Sequence, residues 1–167
     1  TVPVRLHRWV EARAVPREPV DDAIAAWTGS VLATVHRLAL RPHDPRLYAD
    51  RDGLTTAAPW PELVRRSAGT GWVDDLAAAE PWATRATALL EPWNDADAVL
   101  CHGDLDQKNL LVDVDGPMLC DWDVVLPTVP SHDLAHAALT LAGWQDPRVA
   151  RAVLAAYHDA GAEVGPL

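Results

Sequence analysis

Phenylalanine is absent from this sequence, methionine occurs once, and Lys108 is the only lysine. The two cysteines, Cys101 and Cys120, cannot make a disulfide framework. Each follows an apolar run, so both read as small buried hydrophobes in reduced strands. No apolar run approaches the roughly eighteen residues of a membrane span. No charged, apolar and small-residue succession marks a secretory signal, and there is no repeat or low-complexity tract. Basic charge is scarce: the net charge of -10 argues against binding a phosphate backbone. It suits a solvated cytoplasmic protein and would tolerate a cationic small molecule.

What is present is an ordinary globular composition, with 49% apolar and 23% charged residues in 167. Eight tryptophans are spread along the chain, and most are expected in the core. Trp122 is set apart because it lies between two acids. The chain opens on Thr1 rather than Met, so a segment upstream is expected.

Periodicity gives an α+β chain in which helices outnumber strands. Residues 4–10 read as a short strand. Asp21 or Asp22 caps a helix with Ile24, Trp27, Val31, Val35 and Leu38 on its buried face. Residues 41–71 read as an irregular excursion with one short helix at 60–67, anchored by Tyr48 and Trp60. Helical pattern resumes at 74–90, where Pro81 must kink the helix or begin a second one. The apolar run 98–101 leads through a polar loop to Leu110–Val112, an Asp115-Gly116 hairpin turn and a returning strand at 118–120. Ser131 then caps a helix to about 143, and Asp146-Pro147 starts another ending near Gly161.

The chemistry concentrates in Cys-His-Gly-Asp-Leu-Asp-Gln-Lys-Asn-Leu-Leu, positions 101–111, and in Asp121-Trp122-Asp123. Phosphoryl transfer needs a carboxylate to orient a hydroxyl and accept its proton. It also needs separate oxygen ligands for Mg²⁺. A carboxylate, an amide five residues later and an acid after the next hairpin provide that set.

At these residues the chain resembles the aminoglycoside phosphotransferase and choline kinase group of the protein-kinase-like superfamily. The shared pattern is His-x-Asp, four residues, Asn, then a hairpin and an Asp. The resemblance implies a mainly helical, kinase-like C-terminal lobe (residues 13–167) with a small β-hairpin carrying the site loops. Residues 1–12 would be the end of an N-terminal lobe and the hinge. It implies Asp104 as catalytic base, His102 as brace of the same loop, and Asn109 and Asp121 as magnesium ligands, with Asp123 either assisting the metal or only capping the loop. Leu111 and Cys120 would lie near the adenine of ATP. Trp9 and Val10, within Arg8-Trp9-Val10-Glu11, would form the hinge. Asp133, in Ser-His-Asp-Leu-Ala, would support the catalytic loop. Leu-Ala-Thr-Val-His at 32–36 resembles a helix motif of the same family.

The family often has glycine where Lys108 stands. A cation there either reaches phosphate or faces solvent, and solvent is the expectation given how mobile lysine is. No Gly-x-Gly-x-x-Gly loop and no Val-Ala-Ile-Lys strand occur. The phosphate cover is therefore expected from an N-lobe outside this chain, and the C-terminal end is expected to be short as well. The whole would be an ATP- and Mg²⁺-dependent phosphotransferase acting on a hydroxylated small molecule, with this piece alone inactive.

Other chemistries compete. Asp121 and Asp123 at a strand end resemble a haloacid-dehalogenase-type phosphatase, but that fold needs more strand–helix units than the remaining residues allow. His102, His132, Asp133 and His136 could ligate a metal in an all-helical phosphohydrolase. A pseudokinase-like binding module is the non-enzymatic alternative. Acids at 44, 50, 52, 74, 75 and 80 could line a pocket for a cation, although a solvated surface is the simpler expectation.

Overall fold

The computed structural model describes residues 9–43, 60–88 and 95–163. Contacts divide the chain into one unit of residues 1–43 with 97–167 and a second of residues 44–96. The elements are β1 (Arg13–Ala14), α1 (Asp22–Arg37), α2 (Trp60–Arg66), α3 (Val73–Ala88), β2 (Val99–Cys101), β3 (Leu110–Asp113), β4 (Gly116–Leu119), β5 (Leu126–Thr128), α4 (Pro130–Leu141) and α5 (Pro147–Asp159). No described helix is long and apolar enough to cross a membrane.

In the first unit, α1 starts where Asp21 Oδ1 accepts the Ile24 N–H at 2.8 Å. Asp22 in its first turn and His36 and Arg37 in its last complement the helix dipole. The buried face runs through Ile24, Ala25, Thr28, Gly29, Leu32, Ala33 and His36. It is rotated from the expected one: Trp27, Val31 and Val35 are flanking and half-buried, and Leu38 is exposed. The reason is close approach to α5. A Cβ at Gly29 would overlap the Val153 carbonyl and lie 2.8 Å from the Tyr157 nitrogen. Small residues therefore face the partner helix, and bulkier ones are pushed to the sides.

Helix α5 starts on Asp146, whose side chain accepts from Arg148 N–H, with Pro147 at the first helical position. Helix α4 has Val129 at its N-cap and no side-chain cap, so Ser131 lies inside the first turn instead of capping it. Pro130, with its fixed φ, opens this helix in place of a hydroxyl cap.

The strands form two antiparallel sheets, β1-β3-β4 and β2-β5. Strand β2 pairs with β5, which periodicity had not marked, at Val99↔Thr128 through Cys101↔Leu126. The β3–β4 hairpin pairs Leu110↔Leu119 through Asp113↔Gly116. Its turn is therefore Val114-Asp115, one residue earlier than expected, because Asp113 Oδ1 caps the turn by accepting Asp115 N–H at 2.7 Å. Of the expected strand at 4–10, Trp9 and Val10 are not in a strand and residues 4–8 lie outside the described ones; β1 follows at Arg13–Ala14, paired with Val112 and Leu111.

The core joins Leu32, Leu105, Leu110, Leu134, Leu141, Val149, Val153 and Tyr157 with several alanines. Burying each leucine contributes roughly 1.5–3 kcal/mol. No described tryptophan is among the buried residues, against expectation: Trp9, Trp72, Trp82, Trp122 and Trp144 are exposed, and Trp27 and Trp60 half-buried. Trp27 packs against the core from its edge, and among the described residues Tyr157 is the large fully buried aromatic.

In the second unit α3 runs through Pro81 as one helix, so proline does not start a second. The short α2 matches the expected helix at 60–67. Asp74 and Asp75 are exposed, and the acids at 44, 50 and 52, with Tyr48 and Trp93, lie outside the described residues.

Candidate active site

The polar segment begins where β2 ends. Gly103 has φ +82°, and a Cβ there would sit 2.8 Å from both Leu126 Cδ2 and the Val124 carbonyl. Glycine is thus required twice, by backbone conformation and by space. This tight bend turns the chain out of the β2–β5 sheet and toward the β3–β4 hairpin.

His102 is fully buried. Its Nε2 donates to the Cys120 carbonyl at 3.0 Å, and Nδ1 accepts from the Asp104 N–H at 3.4 Å. Those partners select the Nε2–H tautomer of a neutral ring. The ring also meets Trp122 edge-to-face at 4.8 Å between centroids. His102 therefore pins its own loop to segment 120–122.

Asp104 and Asn109 touch directly. Asn109 Nδ2 donates to the Asp104 carbonyl at 2.6 Å and to its Oδ2 at 3.3 Å. Asn109 is buried at the end of a single 3₁₀ turn, Gln107–Asn109, capped by Asp106. The Asn109 carbonyl accepts Cys120 N–H at 2.9 Å, which extends the β3–β4 ladder by one rung and sets Asp121 on the adjoining loop. Asp121 is exposed and left-handed (φ 60°, ψ 64°), and its side chain caps nothing in the turn that follows. A non-glycine residue in that region is uncommon, and Asp and Asn tolerate it best. Asp123 lies in that turn, Trp122–Val124, and is exposed.

Lys108 is exposed, as expected, but it does not stand free. Its side chain is 44% exposed, yet Nζ lies 2.8 Å from Asp104 Oδ2 and 3.0 Å from Asp106 Oδ2. The hydrogen bond from Lys108 is the chief reason the Asp104 carboxyl lies below the ordinary carboxylate range. Reciprocally, Asp104 and then Asp106 raise the Lys108 ammonium.

The loop is held from beneath by residues that its motif does not include. Gln107 Nε2 donates to the Thr140 carbonyl at 2.6 Å, and Thr140 Oγ1 donates to the Leu105 carbonyl at 3.0 Å. Asp133 Oδ1 accepts Gly103 N–H at 2.9 Å, Oδ2 accepts from His36 Nε2 at 3.0 Å, and His36 Nδ1 meets the Tyr157 hydroxyl at 3.0 Å. Burial pushes the Asp133 carboxyl up, but His36 and the Gly103 N–H outweigh it and the net shift is downward. Burial raises the Tyr157 phenol to about 12. Gln107, Thr140 and Tyr157 carry no local signal, because each acts on backbone or side chains tens of residues away.

The expected adenine neighbours are half-buried on the hairpin: Leu111 opposite Ala14 and Met118, and Cys120 directly after β4. Trp9 is 83% exposed, with Nε1 donating to Glu11. A cavity of about 190 Å³, lined by Arg13, Val15, Glu18 and Val112 among others, contains none of the expected site residues.

For a magnesium ion the donor set fits. Asn109 commits its NH₂ group to Asp104, which leaves the neutral carbonyl Oδ1, and Asp121 offers an uncommitted carboxylate. Both are hard oxygen donors. The rival histidine site does not assemble: His102 has both ring nitrogens engaged, and His132 is on an exposed position. Among the described residues the one group with metal-ligand spacing is His36, Cys101 and Asp133. Its His–Asp contact is an ordinary buried hydrogen bond, and burial keeps the Cys101 thiol protonated. The dehalogenase-like alternative needs a parallel sheet, whereas β4 is antiparallel to β3.

Two solved structures are similar to this chain, and the first, with the higher TM-score, bears on the fold. Spectinomycin phosphotransferase, in complex with ADP and spectinomycin, is 16% identical with a TM-score of 0.59, over 95% of this chain and 52% of that one. Choline kinase LicA from Streptococcus pneumoniae is 18% identical with a TM-score of 0.47, over 88% of this chain and 48% of that one. The chain spans about half the length of these structures. No curated protein matches it. The model of the phosphotransferase enzyme family matches residues 2–167, and the chain belongs to that family.

Proposed function

We propose that this chain is the C-terminal lobe of an ATP-dependent phosphotransferase that moves the γ-phosphoryl group to a hydroxyl of a small molecule. The observation that carries the reading is the contact of Asn109 with Asp104, made at the end of an antiparallel hairpin whose other strand leads into Asp121. Family membership and the nucleotide in the spectinomycin phosphotransferase structure support it.

In this reading Asp104 receives the acceptor hydroxyl, orients its lone pair toward phosphorus and takes its proton. Its depressed pKa keeps it ionised, so its main contribution is positioning rather than strong basicity. His102 and Asp133 hold the loop and do not touch substrate. Asn109 and Asp121, with Asp123 beside them, are the residues that would hold magnesium, which supplies charge neutralisation to the nucleotide phosphates. Leu111, Cys120, Trp9 and Val10 are the adenine-side and hinge residues. The phosphate cover comes from an N-lobe of the same protein, so residues 1–167 alone are inactive. A cytoplasmic location follows from the ATP requirement. The charge of -10 favours a cationic acceptor, an amino alcohol or aminoglycoside-like polyol.

The test is ATP-dependent mass gain across a panel of hydroxylated metabolites, with the full-length polypeptide that carries this segment. Asp104→Ala should abolish the gain. Phosphorylation that is indifferent to this change removes Asp104 from the mechanism. Nucleotide binding without any turnover favours the non-catalytic module.

A further inference from the structure

We propose that Lys108 is a catalytic cation that contacts the phosphoryl group during transfer, held in readiness by Asp104 and Asp106. The proposal rests on the phosphotransferase reading above.

Three observations converge on it. Lys108 Nζ bridges Asp104 Oδ2 and Asp106 Oδ2 at 2.8 and 3.0 Å. Asp106 grips Lys108 at both ends, because its Oδ1 also accepts the Lys108 backbone N–H at 2.8 Å. Asn109 Nδ2 reaches the same Asp104 Oδ2 at 3.3 Å, so that oxygen is used twice and Oδ1 is left for the acceptor. A free surface lysine would lose several rotamers for such a geometry, and exposed ion pairs recover little of that cost. Here the loop itself fixes the backbone and supplies both anions.

The position follows from reaction geometry. An acceptor oxygen hydrogen-bonded to Asp104 stands about 3–3.5 Å from phosphorus in a near-attack arrangement. An ammonium on the other oxygen of the same carboxylate is then one carboxylate removed from the reacting atoms, within the swing of a flexible lysine stem. In the transfer the acceptor O–P bond forms and the bond from phosphorus to the β,γ-bridging oxygen breaks. The bonding pair leaves with the nucleoside diphosphate, and the hydroxyl proton passes to Asp104. Negative charge spreads over the equatorial oxygens, where a cation stabilises the transition state more than the ground state. Asp106 is a positioning residue for Lys108.

The experiment measures ATP turnover, to water or to an acceptor, by the full-length polypeptide. Lys108→Met should lower kcat by about 10- to 100-fold with the KM for ATP changed less than about threefold, and Lys108→Arg should restore most of it. Calorimetry adds a readout independent of turnover. Lys108→Met should leave Mg·ADP affinity unchanged and weaken Mg·ADP with aluminium fluoride, a mimic of the transferring group. If kcat is unchanged in Lys108→Met while Asp104→Asn abolishes turnover, the Lys108 role is overturned and the phosphotransferase reading stands. A loss that arginine does not restore, or that appears equally with ADP alone, also overturns it as a loop-folding effect. No turnover and no ADP binding by the wild type overturns both.

Discussion

The carboxylate of Asp133 accepts the Gly103 N–H on one oxygen while its other oxygen is bonded to His36, so one buried side chain fastens α4 to both the site loop and α1. His36 is in turn bonded to Tyr157 on α5. Asp133→Ala leaves a buried ring nitrogen and a part-buried N–H without partners. It should cost about 3–5 kcal/mol in urea denaturation, the range for breaking a buried charged contact. Tyr157→Phe removes only the outermost bond and should cost about 1–2 kcal/mol.

The same residues set the pH limits of stability. The folded Asp133 binds its proton more weakly than the unfolded one, whose pKa is about 3.9. Its contribution is therefore full above that value and is lost as pH falls through the depressed folded pKa. Tyr157 has the opposite sign: its folded pKa is raised to about 12, against an unfolded value of about 10. Its contribution is full below about pH 10 and disappears as pH rises toward 12. Thermal melts across pH should show both limbs. Asp133→Asn should flatten the acid one and Tyr157→Phe the alkaline one.

Two glycines should resist even alanine. At Gly103 a methyl group meets a backbone carbonyl at 2.8 Å in a left-handed conformation. Strain of about 1–3 kcal/mol adds to the overlap. Gly103→Ala should therefore lower the Tm and distort the Asp104 loop, visible as shifted amide resonances for 102–109. At Gly29 the obstruction is the α5 backbone itself. Gly29→Ala should separate α1 from α5 and destabilise the fold, whereas a Gly→Ala change on an exposed helix face normally stabilises it.

Asp121 separates conformation from ligation. Asn keeps tolerance of the left-handed backbone but loses the charge, whereas Ala loses both. Under the proposed function Asp121→Asn should raise the Mg²⁺ concentration for half-maximal ATP turnover by about tenfold or more while leaving the Tm close to wild type. Asp121→Ala should affect both. Equal Mg²⁺ dependence in wild type and Asp121→Asn would remove Asp121 from the metal site.

Much of this was legible in the linear sequence. Helix starts at Asp21 and Asp146 follow from local hydrogen bonds between a side chain and an amide two or three residues on. The spacing of Asp104 and Asn109 is likewise local, one turn apart in a single loop. The hairpin was readable but one residue out of register, because the cap from Asp113 outweighed the Asp-Gly signal. Two of the described strands were harder. β1 and β5 are two and three residues long, too short for periodicity, and exist because β3 and β2 offer them an edge. The tryptophans misled for a related reason: indole hydrophobicity is intrinsic, but whether a core has room for it depends on how closely two helices pack.

The order of helix and loop, the polar segment 101–111 and the acids after the hairpin could be read from neighbours within a few bonds. The closing of Lys108 onto Asp104, the hold of His102 on Cys120 and the reach of Tyr157 to the loop through His36 and Asp133 emerge from the folded chain. The long-range bonds join residues 18 to 121 positions apart, and the Lys108 contact depends on which rotamer two nearby acids reward. Bonds of this kind are set by the geometry of packed elements, which no local pattern encodes.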